Sequence, residues 1–196
     1  MNYKIDKMWG RERDVRIMSN IVVLVGSVRK GGNTELLTQA FVDGAKQNNT
    51  VEVLSVADYQ VNPCTGCNSC FHREEGQCFQ KDDMPRIYEQ LANADVLILA
   101  SPVYFYGISA QLKAVIDRLH TPKRNHFPIK KMGLLLVGAD TLPELFDSIL
   151  MQYRLSLKYF KLQDLGKVLG RGVKDRGDII GNKALKDAYD FGTSIR

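Results

Sequence analysis

Strand-like and helix-like segments alternate along this chain, and that alternation restricts the possible folds more than any other feature. The run at 21–25 is rich in β-branched residues, and the run at 95–100 is apolar after its first residue, as expected of a strand buried on both faces. Further runs at 51–56, 132–137 and 165–169 complete five predicted strands. Helical periodicity separates successive strands, so we predict an α/β fold with a five-stranded, parallel, doubly wound sheet of order 2-1-3-4-5.

The first predicted strand runs into a glycine-rich turn, Gly26–Thr34, which precedes a helical pattern. Backbone N–H groups at a helix start lack partners and the helix dipole is positive there, so such a turn suits a phosphate. Neither common nucleotide motif fits, because Gly32 stands where a Walker loop has its lysine and Val28 stands where a dinucleotide fingerprint has its second glycine. The candidate phosphate-binding side chains are Ser27, Arg29, Asn33 and Thr34. This loop predicts a mononucleotide such as FMN, with Asn33 also capping the helix; a turn without a ligand is the alternative.

A second unusual loop, Ser101–Gly107, follows the predicted central strand and contains three consecutive aromatic residues. In a sheet of order 2-1-3-4-5 the ligand crevice lies where strands 1 and 3 diverge, and these strands carry the two unusual loops. We therefore predict that a flavin ring lies along the second loop, edged by Tyr104, Phe105 and Tyr106. Simple packing of these aromatic side chains beneath the loop is the alternative.

All four cysteines of the chain lie in one stretch with the spacing C-x2-C-x2-C-x7-C. They are Cys64, Cys67, Cys70 and Cys78. Such crowding indicates metal or redox chemistry, and the first three cysteines resemble the start of a bacterial [4Fe–4S] motif. Four thiolates suit zinc equally well on ligand type, and free thiols are the third interpretation. His72 lies in the same segment, either as a substitute ligand or as a surface residue.

Composition and charge narrow the function classes further. The chain has 196 residues, of which 44% are hydrophobic and 25% charged, as in an ordinary globular domain. No apolar run is long enough for a membrane span or a signal peptide, so a cytoplasmic protein is predicted. The net charge of +5 is not arranged as a basic stripe with exposed aromatic residues, which argues against nucleic acid. We divide the chain into an N-terminal extension, 1–17, and one domain, 18–196, with a cysteine-rich insertion at 62–83.

Three motifs, in this order, resemble those of the NADPH-dependent FMN reductase group of flavodoxin-like proteins, and within it the iron–sulfur flavoproteins. They are the loop Gly26-Ser27-x-Arg29-x-x-Gly32-Asn33-Thr34, the cysteine run leading into Asp82-Asp83-Met84, and Ser101-Pro102-Val103-Tyr104. The resemblance extends over about residues 18–196 and is closest at 20–120. The sequence departs from the group at Val28, which replaces a frequent proline, and in the long gap before Cys78.

This resemblance implies a flavodoxin-like fold, bound FMN, and a homodimer or homotetramer with the flavin near a subunit interface. The phosphate would be held by Ser27, Arg29, Gly32, Asn33 and Thr34. The isoalloxazine would contact Pro102, Val103, Tyr104, Phe105, Tyr106 and Gly107. Its third edge would be formed by Gly138, Ala139 and Asp140.

We therefore predict an FMN-dependent NAD(P)H oxidoreductase whose acceptor is a flavin, a quinone or another compound. The sequence shows no His/Asp/Ser constellation for acid–base or nucleophilic catalysis, which agrees with chemistry carried out on the flavin. A [4Fe–4S] cluster on the cysteines would convert two-electron input into one-electron output. The alternatives are a flavodoxin-like electron carrier without its own NAD(P)H turnover and a zinc–thiolate regulatory module on a flavin-free scaffold.

Overall fold

The computed structural model describes residues 18–196, so the predicted extension at 1–17 lies outside the described residues. The strands are β1 (Asn20–Val25), β2 (Thr50–Ser55), β3 (Val96–Pro102), β4 (Lys131–Val137) and β5 (Gln163–Gly170). The helices are α1 (Asn33–Ala45), α2 (Met84–Leu91), α3 (Ala110–Arg118), α4 (Asp147–Phe160) and α5 (Lys183–Ser194). The strands pair in parallel in the order β2-β1-β3-β4-β5, which confirms the predicted doubly wound sheet.

Strand β3 is buried along its whole length at the centre of the sheet, as its apolar sequence predicts. Side chains alternate across a sheet, so Val22 and Leu24 of β1 face one layer of helices while Val23 and Val25 face the other. Helices α2, α3 and α4 cover the first face, and α1 and α5 cover the second. Because the strands are parallel, the loops that follow them all emerge at one edge of the sheet.

Helices α1 and α5 approach each other closely through two glycines. A Cβ atom on Gly44 would lie 2.1 Å from the carbonyl oxygen of Tyr189, and one on Gly192 would lie 2.2 Å from that of Phe41. Neither position accepts a side chain, because the opposing atoms belong to the backbone. The rings of Phe41 and Phe191 pack alongside, with centroids 5.5 Å apart. The two helices are therefore in direct backbone contact.

Several element boundaries differ from the predicted ones. Helix α1 ends at Ala45, where the side-chain amide of Asn49 donates to the Ala45 carbonyl at 3.1 Å. At its start the cap residue is Gly32 and Asn33 is the first helical residue, so the predicted cap at Asn33 is wrong. Strand β3 extends to Pro102, since its last residues still pair with β4.

The cysteine-rich segment at 62–83 lies between β2 and α2 and contains two short 3-10 turns. Its base is closed by an ion pair between Arg118 of α3 and Asp82, with a nitrogen–oxygen distance of 2.8 Å and side chains only 3% and 1% exposed. Arg118 also donates to the Asn62 carbonyl at 3.1 Å, and Asp82 accepts from the Asn62 N–H at 3.0 Å. One buried pair thus holds both ends of the segment against α3.

Among residues 18–196, the helices lack the length and apolar character needed to cross a membrane.

Candidate functional site

A cavity of about 250 Å³ opens at the carboxyl ends of β1, β3 and β4, where this strand order places its crevice. It is formed by the three loops selected from the sequence and by a fourth loop that follows β5. Its lining residues are Ser27, Arg29, Gly32, Asn33, Thr34, Pro102, Val103, Tyr104, Val137, Gly138, Ala139, Val173, Lys174 and Asp175.

The loop after β1 supplies hydrogen-bond donors and a positive charge to one end of the cavity. Gly32 is the N-cap of α1, and the backbone N–H groups of Asn33 and Thr34 have no acceptor within the described residues. Ser27 and Thr34 are buried and carry hydroxyl groups, while Arg29 is exposed. The Ser27 Oγ accepts from the Arg29 N–H at 3.2 Å, which leaves its own proton available to a ligand. This arrangement suits a phosphate, because free N–H groups and the positive end of a helix dipole meet there.

The side chain of Asn33 is engaged with the loop after β5. Its Nδ2 donates to the Asp175 carbonyl at 2.8 Å. Its Oδ1 accepts from the backbone N–H groups of Gly177 at 3.0 Å and Ile179 at 3.4 Å. Asn33 therefore lines the cavity as the sequence suggests, but its amide joins two loops and is not free for a ligand.

The loop after β3 is held in a tight turn. The Val103 N–H donates to a carbonyl of β4 at 2.8 Å, and Tyr104 and Gly107 exchange two backbone hydrogen bonds of 2.9 and 3.0 Å. Between them, Phe105 and Tyr106 adopt left-handed conformations with φ of 47° and 62°. A type I′ turn requires positive φ at both central positions, and residues other than glycine are strained there. Such strain is typical of functional loops.

The aromatic side chains of this turn face outwards. Tyr104, Phe105 and Tyr106 are 44%, 99% and 50% exposed, so simple packing beneath the loop is excluded. Tyr104 lines the cavity, whereas Phe105, Tyr106 and Gly107 lie outside its lining. The exposed aromatic surface therefore begins at the cavity and continues beyond it.

The third predicted edge of the flavin site, residues 138–140, lines the cavity only in part. Gly138 and Ala139 line the cavity, but Asp140 does not. The Oδ1 of Asp140 accepts from the backbone N–H groups of Thr141 at 2.6 Å and Leu142 at 3.0 Å. An aspartate that bonds the following backbone in this way stabilises a turn, so its carboxylate has a structural partner.

Four lining residues were absent from the sequence prediction. They are Val137, Val173, Lys174 and Asp175. The last three follow β5, whose carboxyl end lies at the same edge as those of β1, β3 and β4. The parallel topology is the signal that could have pointed to them, because every loop after a strand emerges at that edge.

A second site is a small pocket, of about 60 Å³, lined by all four cysteines. Cys64 and Cys67 are exposed, while Cys70 and Cys78 are half-buried. Within the described part of the chain, no three His, Cys, Asp or Glu side chains are arranged to hold a metal ion. The donor set itself fits a soft metal or an iron–sulfur cluster. Ligation by all four sulfur atoms therefore requires a rearrangement of the cysteines.

The thiols of Cys67 and Cys70 differ in their environments. A hydrogen bond with the Ser69 hydroxyl, at 3.2 Å, lowers the pKa of Cys67 to about 7. Burial raises the pKa of the Cys70 thiol. His120 lines this pocket, whereas His72 does not.

The ion pair of Arg118 and Asp82, beneath the cysteine pocket, favours the charged forms of both side chains. Burial alone would raise the pKa of Asp82, but hydrogen bonds from Arg118 and from the backbone N–H groups of Asn62 and Met84 outweigh it and lower that pKa. The pKa of Arg118 is raised, since its bonds to Asp82 outweigh its own desolvation. Both groups are thus ionised at neutral pH.

A larger cavity, of about 420 Å³, lies elsewhere, near the amino ends of β4 and β5. Its walls include Ile116, Phe127, Ile129, Tyr159 and Phe160. Volume alone does not define a functional site, and this cavity receives none of the loops that follow the strands. We therefore base the functional assignment on the smaller cavity at the carboxyl edge.

A parallel sheet of order 2-1-3-4-5 with a phosphate-suited cavity at its carboxyl edge defines a flavodoxin-like, mononucleotide-binding protein. Residues 19–167 match the family described as NADPH-dependent FMN reductase. The chain therefore belongs to the NADPH-dependent FMN reductase family, which confirms the resemblance seen in its motifs.

Individual relatives support the same assignment. The chain is 42% identical over 123 residues to an iron–sulfur flavoprotein of Methanocaldococcus jannaschii, covering 61% of this chain and 62% of that relative. It is 32% identical over 180 residues to an iron–sulfur flavoprotein of Archaeoglobus fulgidus, covering 89% and 77% of the two chains. The fold is similar to that of an NAD(P)H:quinone oxidoreductase from Methanothermobacter marburgensis, with a TM-score of 0.70, 17% identity, and 90% and 96% of the two chains covered.

Proposed function

We propose that this protein is an FMN-dependent NAD(P)H oxidoreductase, with FMN in the cavity at the carboxyl ends of β1, β3 and β4. The observation that carries the proposal is the convergence of three loops on this cavity, with phosphate-suited groups at one end and exposed aromatic side chains at the other. FMN, when bound, accepts a hydride from a reduced nicotinamide and passes electrons to an acceptor. The acceptor we propose is a flavin or a quinone.

The residues of the loop after β1 hold the phosphate in this proposal. The hydroxyls of Ser27 and Thr34 and the backbone N–H groups that follow Gly32 donate hydrogen bonds to it. Arg29 supplies a positive charge, and it forms no ion pair within residues 18–196. Asn33 contributes its backbone N–H, because its side chain is bonded to the loop after β5.

The flavin ring lies against the two other loops. Pro102, Val103 and Tyr104 form one part of the cavity wall, and Gly138 and Ala139, on the loop after the neighbouring strand β4, form the part beside it. The strained turn extends the first part outwards through Phe105, Tyr106 and Gly107. The nicotinamide approaches from this exposed side.

We further propose that the four cysteines hold a [4Fe–4S] cluster. Cys64, Cys67, Cys70 and Cys78 already line one pocket, and the low pKa of Cys67 favours the thiolate that ligation requires. The two relatives described above are named iron–sulfur flavoproteins, which supports the same metal. A cluster, when bound, supplies one-electron transfer.

The remaining proposals concern the oligomeric state and the cellular location of the protein. We propose a homodimer or homotetramer as the working unit, formed by the domain at 18–196 with its insertion at 62–83. We also propose the cytoplasm as its location, because four closely spaced cysteines that form no disulfide suit a reducing compartment.

The decisive experiment is an absorption spectrum of the anaerobically purified protein, recorded before and after addition of NADPH or NADH. Flavin bands that bleach on addition support the reductase, and a broad band beneath them supports the cluster. Flavin that stays oxidised favours an electron carrier. A protein without flavin, and unable to take up added FMN, contradicts the proposal.

The cluster is tested separately with the variant Cys67→Ser. We expect this variant to lose iron and the broad band while its flavin bands still bleach, because Cys67 does not line the FMN cavity. Zinc in the wild-type protein, with no iron, would contradict the cluster and leave the flavin site untouched.

A further inference from the structure

Two cations without ionic partners line the FMN cavity. They are Arg29, after β1, and Lys174, after β5. Neither side chain lies within ion-pair distance of a carboxylate in the described part of the chain, although Lys113, Lys183 and Lys186 each pair with an aspartate. Unpaired cations that line the same cavity attract an anion to it.

The backbone around Lys174 is held in place by hydrogen bonds and by the buried side chain of its neighbour. The N–H of Val173 donates to the Gly138 carbonyl at 3.0 Å, and the Val173 side chain is buried. The Oδ2 of Asp178 accepts from the N–H groups of Lys174 at 2.9 Å and Asp175 at 2.7 Å. The loop is therefore ordered before any ligand arrives.

Asn33 joins this loop to the phosphate-binding loop. Its side-chain amide bonds to three backbone groups of the segment 175–179, while its own backbone N–H lies at the start of α1. Asn33 is only 9% exposed, so these bonds are shielded from water. One residue thus sets the distance between the helix start and the loop that carries Lys174.

Two carboxylates lie near Lys174. Asp178 bonds to backbone N–H groups of the loop, which partly offset its charge. Asp175 lines the cavity, and its carboxylate forms no ion pair within the described residues. Lys174 therefore offsets the charge of Asp175 at the cavity wall, and without Lys174 only Arg29 would remain among the lining cations to oppose that carboxylate.

We propose that Lys174 is a second phosphate-binding cation, that Asn33 is the residue that positions it, and that together they make this site select FMN over riboflavin. This inference rests on the proposed function, because it concerns the same cavity. Lysine acts on a phosphate as a point charge, so it requires no exact orientation but must lie close to the dianion. Riboflavin lacks the phosphate, and its affinity should not depend on Lys174.

The test is a titration of flavin-free protein with FMN and with riboflavin, followed by quenching of flavin fluorescence. We expect Lys174→Gln to weaken FMN binding about tenfold, the size of one charge-assisted hydrogen bond, and to change riboflavin binding less than about twofold. The matched control is Arg176→Gln, which removes the same charge from the same loop at a residue outside the cavity lining. Arg176→Gln should change both affinities less than about twofold.

The role of Asn33 is tested by a double-mutant cycle. We expect Asn33→Ala to weaken FMN binding several-fold, and Lys174→Gln added to Asn33→Ala to cause much less than its own tenfold loss, because Lys174 is no longer positioned. A residue that merely stabilises the fold would give additive losses, so additivity would overturn the positioning role of Asn33.

The outcomes separate this inference from the function on which it rests. Equal losses for FMN and riboflavin in Lys174→Gln, or equal effects of Lys174→Gln and Arg176→Gln, overturn the inference. A wild-type protein that binds riboflavin as tightly as FMN also overturns it, while flavin binding itself stands. A protein that binds neither flavin overturns both the inference and the proposed function.

Discussion

The FMN cavity and the cysteine pocket lie on one chain but are built in different ways. The walls of the cavity follow directly from four strands of the central sheet, β1, β3, β4 and β5, whose backbone hydrogen bonds fix where each loop begins. The cysteine pocket is built on the segment at 62–83, which contributes no strand and contains two short 3-10 turns. Its base depends on the pair formed by Arg118 and Asp82.

This difference separates two ways of preparing a cofactor site. The cavity has its donors and charges in position before the ligand binds, because the sheet and helix α1 hold them. The cysteine pocket has the correct donor atoms, but within residues 18–196 they are not yet arranged around one centre. If the proposed cluster binds there, its binding contributes part of the free energy that arranges the four sulfur atoms.

The largest expected effect comes from breaking the pair beneath the cysteine segment. Arg118→Met leaves the Asp82 carboxylate buried without its partner, and we expect the free energy of unfolding to fall by about 3 kcal/mol. The measurement is equilibrium unfolding in urea.

The control for this change is Arg86→Met. Arg86 pairs with Asp83 at 3.4 Å, but its side chain is 62% exposed. An exposed pair contributes at most about 1 kcal/mol, so Arg86→Met should change stability little. Equal losses in the two variants would show that the buried pair has no special part in holding the segment.

A smaller effect is expected in the cavity, on binding and not on folding. Thr34→Val removes a hydroxyl that we place at the phosphate, and we expect FMN affinity to fall about tenfold, or about 1.4 kcal/mol. The matched control is Thr38→Val. The Thr38 hydroxyl is buried one helical turn later and donates to the Thr34 carbonyl at 2.8 Å, outside the cavity lining. Equal losses of FMN affinity in both variants would place the effect in helix α1 and not at the ligand.

The smallest expected effect is on the rate of proteolysis at acid pH. The pKa of Asp82 is lowered in the folded protein, so the pair contributes stability above the ordinary carboxyl pKa of about 3.9 and loses it as the pH falls further, through the lower folded-state value. Pepsin digestion of metal-free protein at decreasing pH should therefore cut first within 62–83, several-fold faster than elsewhere, with the fragments identified by mass spectrometry. Initial cleavage in helix α1 or α5 would contradict the expectation that the segment at 62–83 opens before the rest of the domain.

Sequence reasoning predicted the strands and helices because periodicity and apolar runs report directly on which faces are buried, and the order 2-1-3-4-5 is a common one for a doubly wound sheet built from them. It also selected most of the cavity, since the glycine-rich turn and the loop at 101–107 follow strands 1 and 3. It missed Lys174, because a lysine in a loop after the last strand has no local pattern that separates it from a solvated surface residue.

Contacts between residues that are far apart in the sequence could not be predicted either. Asn33 was assigned a cap because asparagine is a frequent cap residue, but its amide bonds to backbone groups more than 140 residues further along the chain. Asp82 lies just before helix α2, and its partner Arg118 lies on helix α3. Such pairings depend on the tertiary fold, which no local spacing encodes.

The glycine contacts between α1 and α5 have a consequence for the entropy of ligand binding. Gly44 and Gly192 bring the two helices into backbone contact, and each helix continues from one of the loops that line the cavity. The chain therefore loses the conformational freedom of these loops when it folds, not when FMN arrives. Binding then requires little further ordering of the protein, so more of the interaction energy with the phosphate remains available as affinity.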